Sequence, residues 1–373
     1  MRSKLATCFV ASIAFCGIAA ADEVAQSKSE VVAKLPFSVG NIAFTPDNQL
    51  IFSHHPFYSP DVRVGKLTSE TTFEPFPNAE WNTPREGTDH YLDNVLGLRS
   101  DEDGVVWIID MGFRTGITPK LVGWNTRTDS LERIYYMPKP ATRDGSQPQD
   151  IVIDRKHGKF YIADEDIGPG GDGSQAAIIV IDMKTGIARR VLEGDASTVP
   201  EDVAITVDGK DLTVPGSDGK PAIIKVGCDG ITMDVNSEWV YYAPLSGRSV
   251  YRIRAADLAD DSIAAGDLTK KVERYADKPN NGGLSIDYQG NLYLTAVETK
   301  EVGVITTDKK YHVIATDPEM VWPDGITSSP DGYMYVSASQ VSAAAMFHDG
   351  VAQNKTPYLI YRFKPLAPGY ISR

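Results

Sequence analysis

The chain has 373 residues, 42% of them hydrophobic, and carries a formal net charge of −13 from 37 Lys and Arg against 50 Asp and Glu. An acidic chain without a Lys/Arg run argues against nucleic acid or an anionic membrane as partner, which leaves a small molecule or another protein. Gly/Pro/Ser-rich linkers are absent, and β architectures commonly run this long as one domain.

The first segment reads Arg2 and Lys4, an apolar run from Leu5 to Ile18, then Ala19-Ala20-Ala21 before Asp22. A basic end, a short apolar stretch and a small-residue site predict a signal peptide over residues 1–21. The run is too short to span a membrane, and Phe15 before Cys16 is a poor lipoprotein site. Cleavage removes Cys8 and Cys16 and leaves Cys228 alone, so the mature chain has no internal disulfide. With one sequon at Asn354-Lys355-Thr356, these features predict a bacterial secreted or periplasmic protein. Cys228 itself reads as a buried, inert thiol.

Glu30 to Leu35 then alternates like a strand, and after it an apolar hairpin pattern recurs. It reads Gly97-Leu98 to Asp103-Gly104 with Val106-Trp107, Gly283-Leu284 to Gly290 with Leu292-Tyr293, and Gly325-Ile326 to Asp331-Gly332 with Met334-Tyr335. Looser copies begin at Asn41, Asp150 and Gly230, giving steps of 56, 53, 80, 53 and 42 residues. Repeats at such periods signal propellers, solenoids or arrays. Alternating apolar and β-branched runs joined by Asp-Gly or Asp-Asn turns are hairpins. Further strands follow at Leu121–Trp124, Ile178–Ile181, Val250–Ile253 and Tyr358–Tyr361. Four strands per repeat make a propeller blade. The prediction is an all-β, six-bladed propeller over residues 22–373. Asp202 to Gly209 also resembles a hairpin start, only 28 residues before Gly230. It reads as strands inserted before blade four, with seven blades as the alternative. Pairing of Glu30–Leu35 with the strand from Tyr358 would close the ring.

Hairpin geometry also predicts where chemistry sits. The start of each first strand and the end of each second strand lie at one edge of the sheet. That edge gathers Gly40-Asn41, Asn94, Gln149-Asp150, Asp229, Asn281-Gly282 and Asp324 with His54-His55, Asp110, Asp164-Glu165-Asp166, Ser246, Glu298 and Ser339-Gln340. Oxygen-rich rings suit Ca²⁺ or Mg²⁺ and equally orient a polar or amine ligand. Asp229 and Asp324 are therefore candidate ligands of a divalent cation. His54, His55 and Asp110 are candidate proton-transfer groups. Asn41, Asn94, Gln149, Asp164 and Asn281 are candidate ligand-binding residues. The plainer reading of any single Asp or Asn there is turn capping. The nucleophile elbow, P-loop, His-Glu-x-x-His and Cys-x-x-Cys motifs are all missing. Gly168 to Gly173 lacks the Lys and helix of a phosphate loop.

Several segments resemble the major royal jelly protein/yellow family. They are Gly97-Leu98-Arg99 through Trp107 to Asp110-Met111-Gly112, Cys228-Asp229-Gly230-Ile231 leading to Tyr241 through Arg252, and Trp322-Pro323-Asp324-Gly325. The resemblance implies a six-bladed propeller over nearly the whole mature chain. The family includes insect proteins linked to dopachrome conversion, amine-binding salivary proteins, storage proteins and many bacterial members, so it leaves function open. A more distant similarity, through Pro323-Asp324-Gly325, is to the gluconolactonase/regucalcin propellers, which are metal-dependent lactone hydrolases. Their first-blade metal-binding Glu would fall near Gly40, where this chain has no carboxylate. The expectation is an exported propeller that binds a small molecule at the mouth of its channel. The alternative is a metal-dependent lactone hydrolase, or an isomerase of a small cyclic or quinone-like substrate. The sequence says nothing about oligomeric state.

Overall fold

The computed structural model describes residues 24–216 and 219–372, and the predicted signal segment lies outside them. Six four-stranded antiparallel sheets form the blades of a ring. Blade one holds Val39–Phe44, Leu50–His54, Val64–Leu67 and Phe73–Pro75. Blade two holds Val95–Ser100, Val105–Asp110, Lys120–Asn125 and Ser130–Tyr136, and blade three Pro148–Asp154, Lys159–Asp164, Ala177–Asp182 and Ala188–Val191. Blade four holds Cys228–Met233, Trp239–Pro244, Ser249–Arg254 and Glu273–Asp277. Blade five follows with Asn281–Ile286, Leu292–Ala296, Glu301–Ile305 and Tyr311–Thr316. The segment before blade four forms two small ribbons, Thr206–Val207 with Lys210–Asp211 and Thr213–Pro215 with Pro221–Ile223. They add no blade, so the ring has six rather than seven. Among the described residues, no helix is long and apolar enough to cross a membrane.

Blade six takes strands from both chain ends. Pro323–Ser328, Met334–Ala338 and Tyr358–Phe363 come from the C-terminal part, and Glu30–Leu35 adds the outer strand. Leu35 pairs with Tyr358 and Glu30 with Arg362. The edge that Tyr358–Phe363 would otherwise expose is covered by the first strand of the chain, as the alternation at Glu30–Leu35 predicts.

The repeated glycines have a steric cause. At the six repeat starts stand Asn41, Gly97, Asp150, Gly230, Gly283 and Gly325, where the innermost strands lie shoulder to shoulder. A Cβ on Gly97 would fall on the Gln149 carbonyl. One on Gly230 would meet the Gly282 oxygen at 2.5 Å, and one on Gly325 the Asn41 Cα at 2.6 Å. Glycine permits that approach. Blades one and three carry side chains instead, and these join across the channel, with Asn41 Nδ2 donating to Asp150 Oδ1 at 3.3 Å. Arg99 fills the space beside them. Its side chain is almost fully buried and donates to Asp150 Oδ1 at 2.9 Å and to the Ile326 carbonyl at 3.3 Å.

In every blade the register between first and second strands shifts just inside the rim, between Val39 and Ile42, Val95 and Leu98, Pro148 and Ile151, Cys228 and Ile231, Asn281 and Leu284, and Pro323 and Ile326. Such irregularities re-aim a side chain. The shifts set residues 40, 96, 149, 229, 282 and 324 at corresponding places around the mouth.

Candidate functional site at the channel mouth

A second ring lies directly above. In each blade the residue after the second strand donates its backbone N–H to a carbonyl just before the first strand. These pairs are His55 to Ser38 at 3.0 Å, Met111 to Asn94 at 2.8 Å, Glu165 to Gln147 at 3.2 Å, Leu245 to Gly227 at 2.9 Å, Val297 to Asn280 at 3.3 Å and Ser339 to Trp322 at 3.1 Å. In five blades the bond uses backbone alone, so the side chains at 55, 111, 165, 245 and 297 take no part in it, while in blade six Ser339 Oγ adds a second bond to the same carbonyl.

Between the two rings lies a narrow cavity with about 430 Å³ of empty space, open solvent included, of which about 30 Å³ can hold the centre of a water molecule. Its polar floor is made by His55, Gln147, Gln149, Glu165, Asp229 and Asp324. An apolar collar stands over it. Phe57, Ile167, Leu245, Trp322, Val341 and Phe347 come from the blade loops, and Ile205, Ile224 and Val226 from the segment inserted before blade four.

The floor is a connected set of acids. Gln147 Nε2 donates to Glu165 Oε2 at 2.6 Å, and Gln149 Nε2 donates to Asp229 Oδ1. Glu165 and Asp229 also hydrogen-bond each other. Asp324 Oδ2 stands 3.7 Å from His55 Nε2. Gln149 Oε1, Asn281 Oδ1 and Asp324 Oδ2 are buried without a hydrogen-bond partner. Burial, reinforced by nearby acids, pushes the Glu165 carboxyl up to about 8 and holds Asp229 and Asp324 well above the usual carboxylate range. Burial takes His55 down to about 3, so its imidazole is neutral and does not pair ionically with Asp324.

Other buried carboxylates contrast sharply. Asp110 lies 2.8 Å from Lys120 Nζ, Asp150 lies 2.9 Å from Arg99, and Asp164 pairs with Arg190. Among the described residues, no Lys or Arg forms an ion pair with Glu165, Asp229 or Asp324. Lys278 is nearest in effect, but its Nζ is spent on the carbonyls of Gly247 at 2.9 Å and Pro279 at 3.2 Å. Among the described residues, the mouth therefore concentrates acid without an ion-paired counter-charge.

The sequence candidates divide accordingly. His55, Gln149, Asp229 and Asp324 meet in the cavity. Asn281 and Asn41 sit beside it in the rim, Asn281 with its Oδ1 unpartnered and Asn41 engaged with Asp150. Asn94 holds its backbone N–H 2.9 Å from Asp110 and leaves its own Oδ1 buried and unpartnered, away from the cavity lining. His54 points the other way, packed edge-on against Phe37, Phe52 and Phe73 with Nδ1 2.6 Å from the Val62 carbonyl. Asp110 accepts from the backbone of Asp93, Asn94 and Gly112. Asp164 does the same for Gln147 and Asp166. Both act as caps that shape the rim. Glu165, Gln147 and the collar residues Phe57 and Trp322 complete the site beyond those candidates. Strand alternation carries the missing signal: if Asp164 and His54 face into the blade, Glu165 and His55 face the channel.

Apart from the His55 imidazole, the floor offers oxygen donors, which suit a hard cation by type. By spacing it does not, because among the described residues no three His, Cys, Asp or Glu side chains are disposed to hold one ion.

The major royal jelly protein family profile matches residues 94–367. The chain belongs to the major royal jelly protein family. No curated protein matches it by sequence. Among solved structures it is similar to the calcium-binding protein regucalcin of Agrobacterium tumefaciens, with 13% identity, a TM-score of 0.56, and coverage of 93% of this chain and 97% of that one. It is also similar to a gluconolactonase of Xanthomonas campestris, with 10% identity, a TM-score of 0.56, and coverage of 92% and 91%. The PQQ-bound aldose sugar dehydrogenase of Streptomyces coelicolor shares the architecture at 10% identity and a TM-score of 0.54, covering 91% and 98%. At these identities the likeness is one of fold. This member of the major royal jelly protein family must be read from its own mouth.

One consequence concerns pH. A carboxyl whose folded value is raised contributes stability below its unfolded value, and that contribution is lost as pH rises through the folded one. For Glu165 the window runs from about 4.5 to about 8. Thermal melts of the ligand-free protein should therefore fall relative to the Glu165→Gln variant across that window. Parallel melting curves for the two would show that Glu165 ionises normally.

Proposed function

We propose that this family member is an exported binding protein for a small organic cation with an apolar body. The cationic head enters the carboxyl floor and the body lies within the collar. One observation carries the reading: three buried acids converge, and among the described residues no Lys or Arg forms an ion pair with them. A buried charge is costly unless paired, so the folded floor stays protonated or awaits a positive ligand. A donor-rich head would also meet the unpartnered oxygens of Gln149 and Asp324, and the aromatic rings of the collar suit a cation. Export rests on the leader at residues 1–21, which the lone Cys228 of the mature chain supports.

The test is calorimetric titration of phenethylammonium against its neutral analogue phenethyl alcohol. The ammonium should bind at least tenfold tighter, and Asp324→Asn should erase that preference while the melting temperature shifts by only a few degrees. Equal affinity for the two probes would refute the reading. So would an Asp324→Asn variant that loses stability and keeps its binding.

The unpartnered oxygens favour a second reading, in which Asp229 and Asp324 with Gln149 Oε1 and Asn281 Oδ1 hold Ca²⁺ or Mg²⁺. Were an ion held by these residues, it would supply Lewis acidity toward a lactone carbonyl. Regucalcin and the gluconolactonase share the fold, and the present floor would have to turn its carboxamides to bind an ion. Calcium that raises the melting temperature and competes with phenethylammonium would support it.

A further inference from the structure

We infer that Trp322 is the specificity-determining wall of the mouth, held in a strained backbone so that its indole faces the ligand. The inference rests on the cation-binding reading above.

Trp322 has φ +52°, and it is the one aromatic residue among the described non-glycine residues with positive φ. For a bulky side chain that region is a real outlier, and such strain persists where surrounding structure and use enforce it. The backbone task at this position does not require tryptophan. The Trp322 carbonyl accepts from Ser339 N and Oγ, each at 3.1 Å. In the other five blades the equivalent carbonyl belongs to Ser38, Asn94, Gln147, Gly227 or Asn280. Those residues are small or polar, and Gly227 would tolerate a left-handed turn freely. Only blade six places an aromatic ring there.

The ring's location explains the choice. The indole lines the same cavity as Asp324, two residues onward, and Pro323 between them starts the inner strand opposite Ala338. Proline fixes its own φ and lacks an N–H, so the turn from Trp322 into Asp324 has little freedom. Asp324 and Trp322 thus line the mouth from one rigid three-residue unit. A tryptophan face attracts a cation more strongly than an aliphatic wall of the same size does. Asp324 supplies charge, and Trp322 selects a cation that carries its charge close to an apolar or planar body.

Packing alone is the competing account, since Trp322 also touches the apolar cluster of Ile205, Leu245, Val297 and Val341. Phenethylammonium titrations of the parent, Trp322→Phe and Trp322→Leu separate the two. Affinity should fall at least tenfold in Trp322→Leu and stay within threefold of the parent in Trp322→Phe. The ammonium should also shift the tryptophan emission of the parent and leave that of Trp322→Phe unchanged, a readout that survives if Trp322→Leu fails to fold. Equal affinity of parent and Trp322→Leu, or an emission shift that persists in Trp322→Phe, overturns the assignment. Absence of binding to the parent overturns the cation-binding reading instead, and this assignment with it.

Discussion

Replacing Arg99 by Met should lower unfolding free energy by about 3–5 kcal/mol, the usual cost of breaking a buried ion pair from one side. Arg99 and Asp150 are each only 1% exposed and lie 2.9 Å apart at the centre of the ring. Without the guanidinium, Asp150 Oδ1 keeps Asn41 Nδ2 at 3.3 Å and the Ile151 N–H at 2.8 Å, neither of them charged. Burial already raises the Asp150 carboxyl above its ordinary value with Arg99 present, and loss of the guanidinium should raise it further. The Ile326 carbonyl of blade six also loses a donor. Denaturant unfolding of Arg99→Met, Asp150→Asn and the double variant forms a cycle that isolates the pair. The double variant should recover part of the loss. Strictly additive losses would mean that Arg99 acts as filler of the channel and not as the partner of Asp150.

Deleting residues 24–36 should cost about 5 kcal/mol or more and destabilise the whole ring. The segment contributes Ala33 and Leu35, both fully buried, to a cluster with Phe44, Phe52 and Ile360. Burying two such side chains is worth roughly 2–4 kcal/mol. Each lost ladder bond to Tyr358–Phe363 removes about 1 kcal/mol more, and the bared edge invites pairing with other chains. The expected readout is a single cooperative transition at a much lower temperature, accompanied by aggregation. A truncated protein that melts with the parent would show that blade six closes without its fourth strand.

The fold was legible because its signals are local and repeated. Six glycine- or Asx-marked strand starts, each followed by a turn, announce six hairpins, and alternation at Glu30–Leu35 announces the closing strand. The site was legible to the level of the rim and no further. Asp229, Asp324, Gln149 and His55 line one cavity because strand ends must share one edge. The choice between His54 and His55, or between Asp164 and Glu165, depends on which residue of a dipeptide faces the channel. Both members are polar, so hydrophobic alternation is silent there. The division between paired and unpaired acids was hidden altogether. Lys120, Arg190 and Arg99 reach Asp110, Asp164 and Asp150 across strands 10–51 residues apart in the chain, and only the closed ring shows which acids lack such a partner. The collar residues from Ile205 to Val226 belong to an insertion whose position over the mouth no local pattern foretells.

The backbone bond that ties each second strand to the carbonyl before its first strand makes the mouth modular. Because that bond is a backbone one in every blade, with a side-chain supplement only from Ser339 Oγ in blade six, the residue above each blade behaves as an interchangeable fitting in a fixed frame. His55, Met111, Glu165, Leu245, Val297 and Ser339 occupy geometrically equivalent sockets yet supply an imidazole, a thioether, an acid, two aliphatic groups and a hydroxyl. A lineage built on this frame can exchange its chemistry one socket at a time with little debt to folding. Relatives with the same ring should therefore differ most where the ligand is met, and fold alone should forecast their ligands poorly.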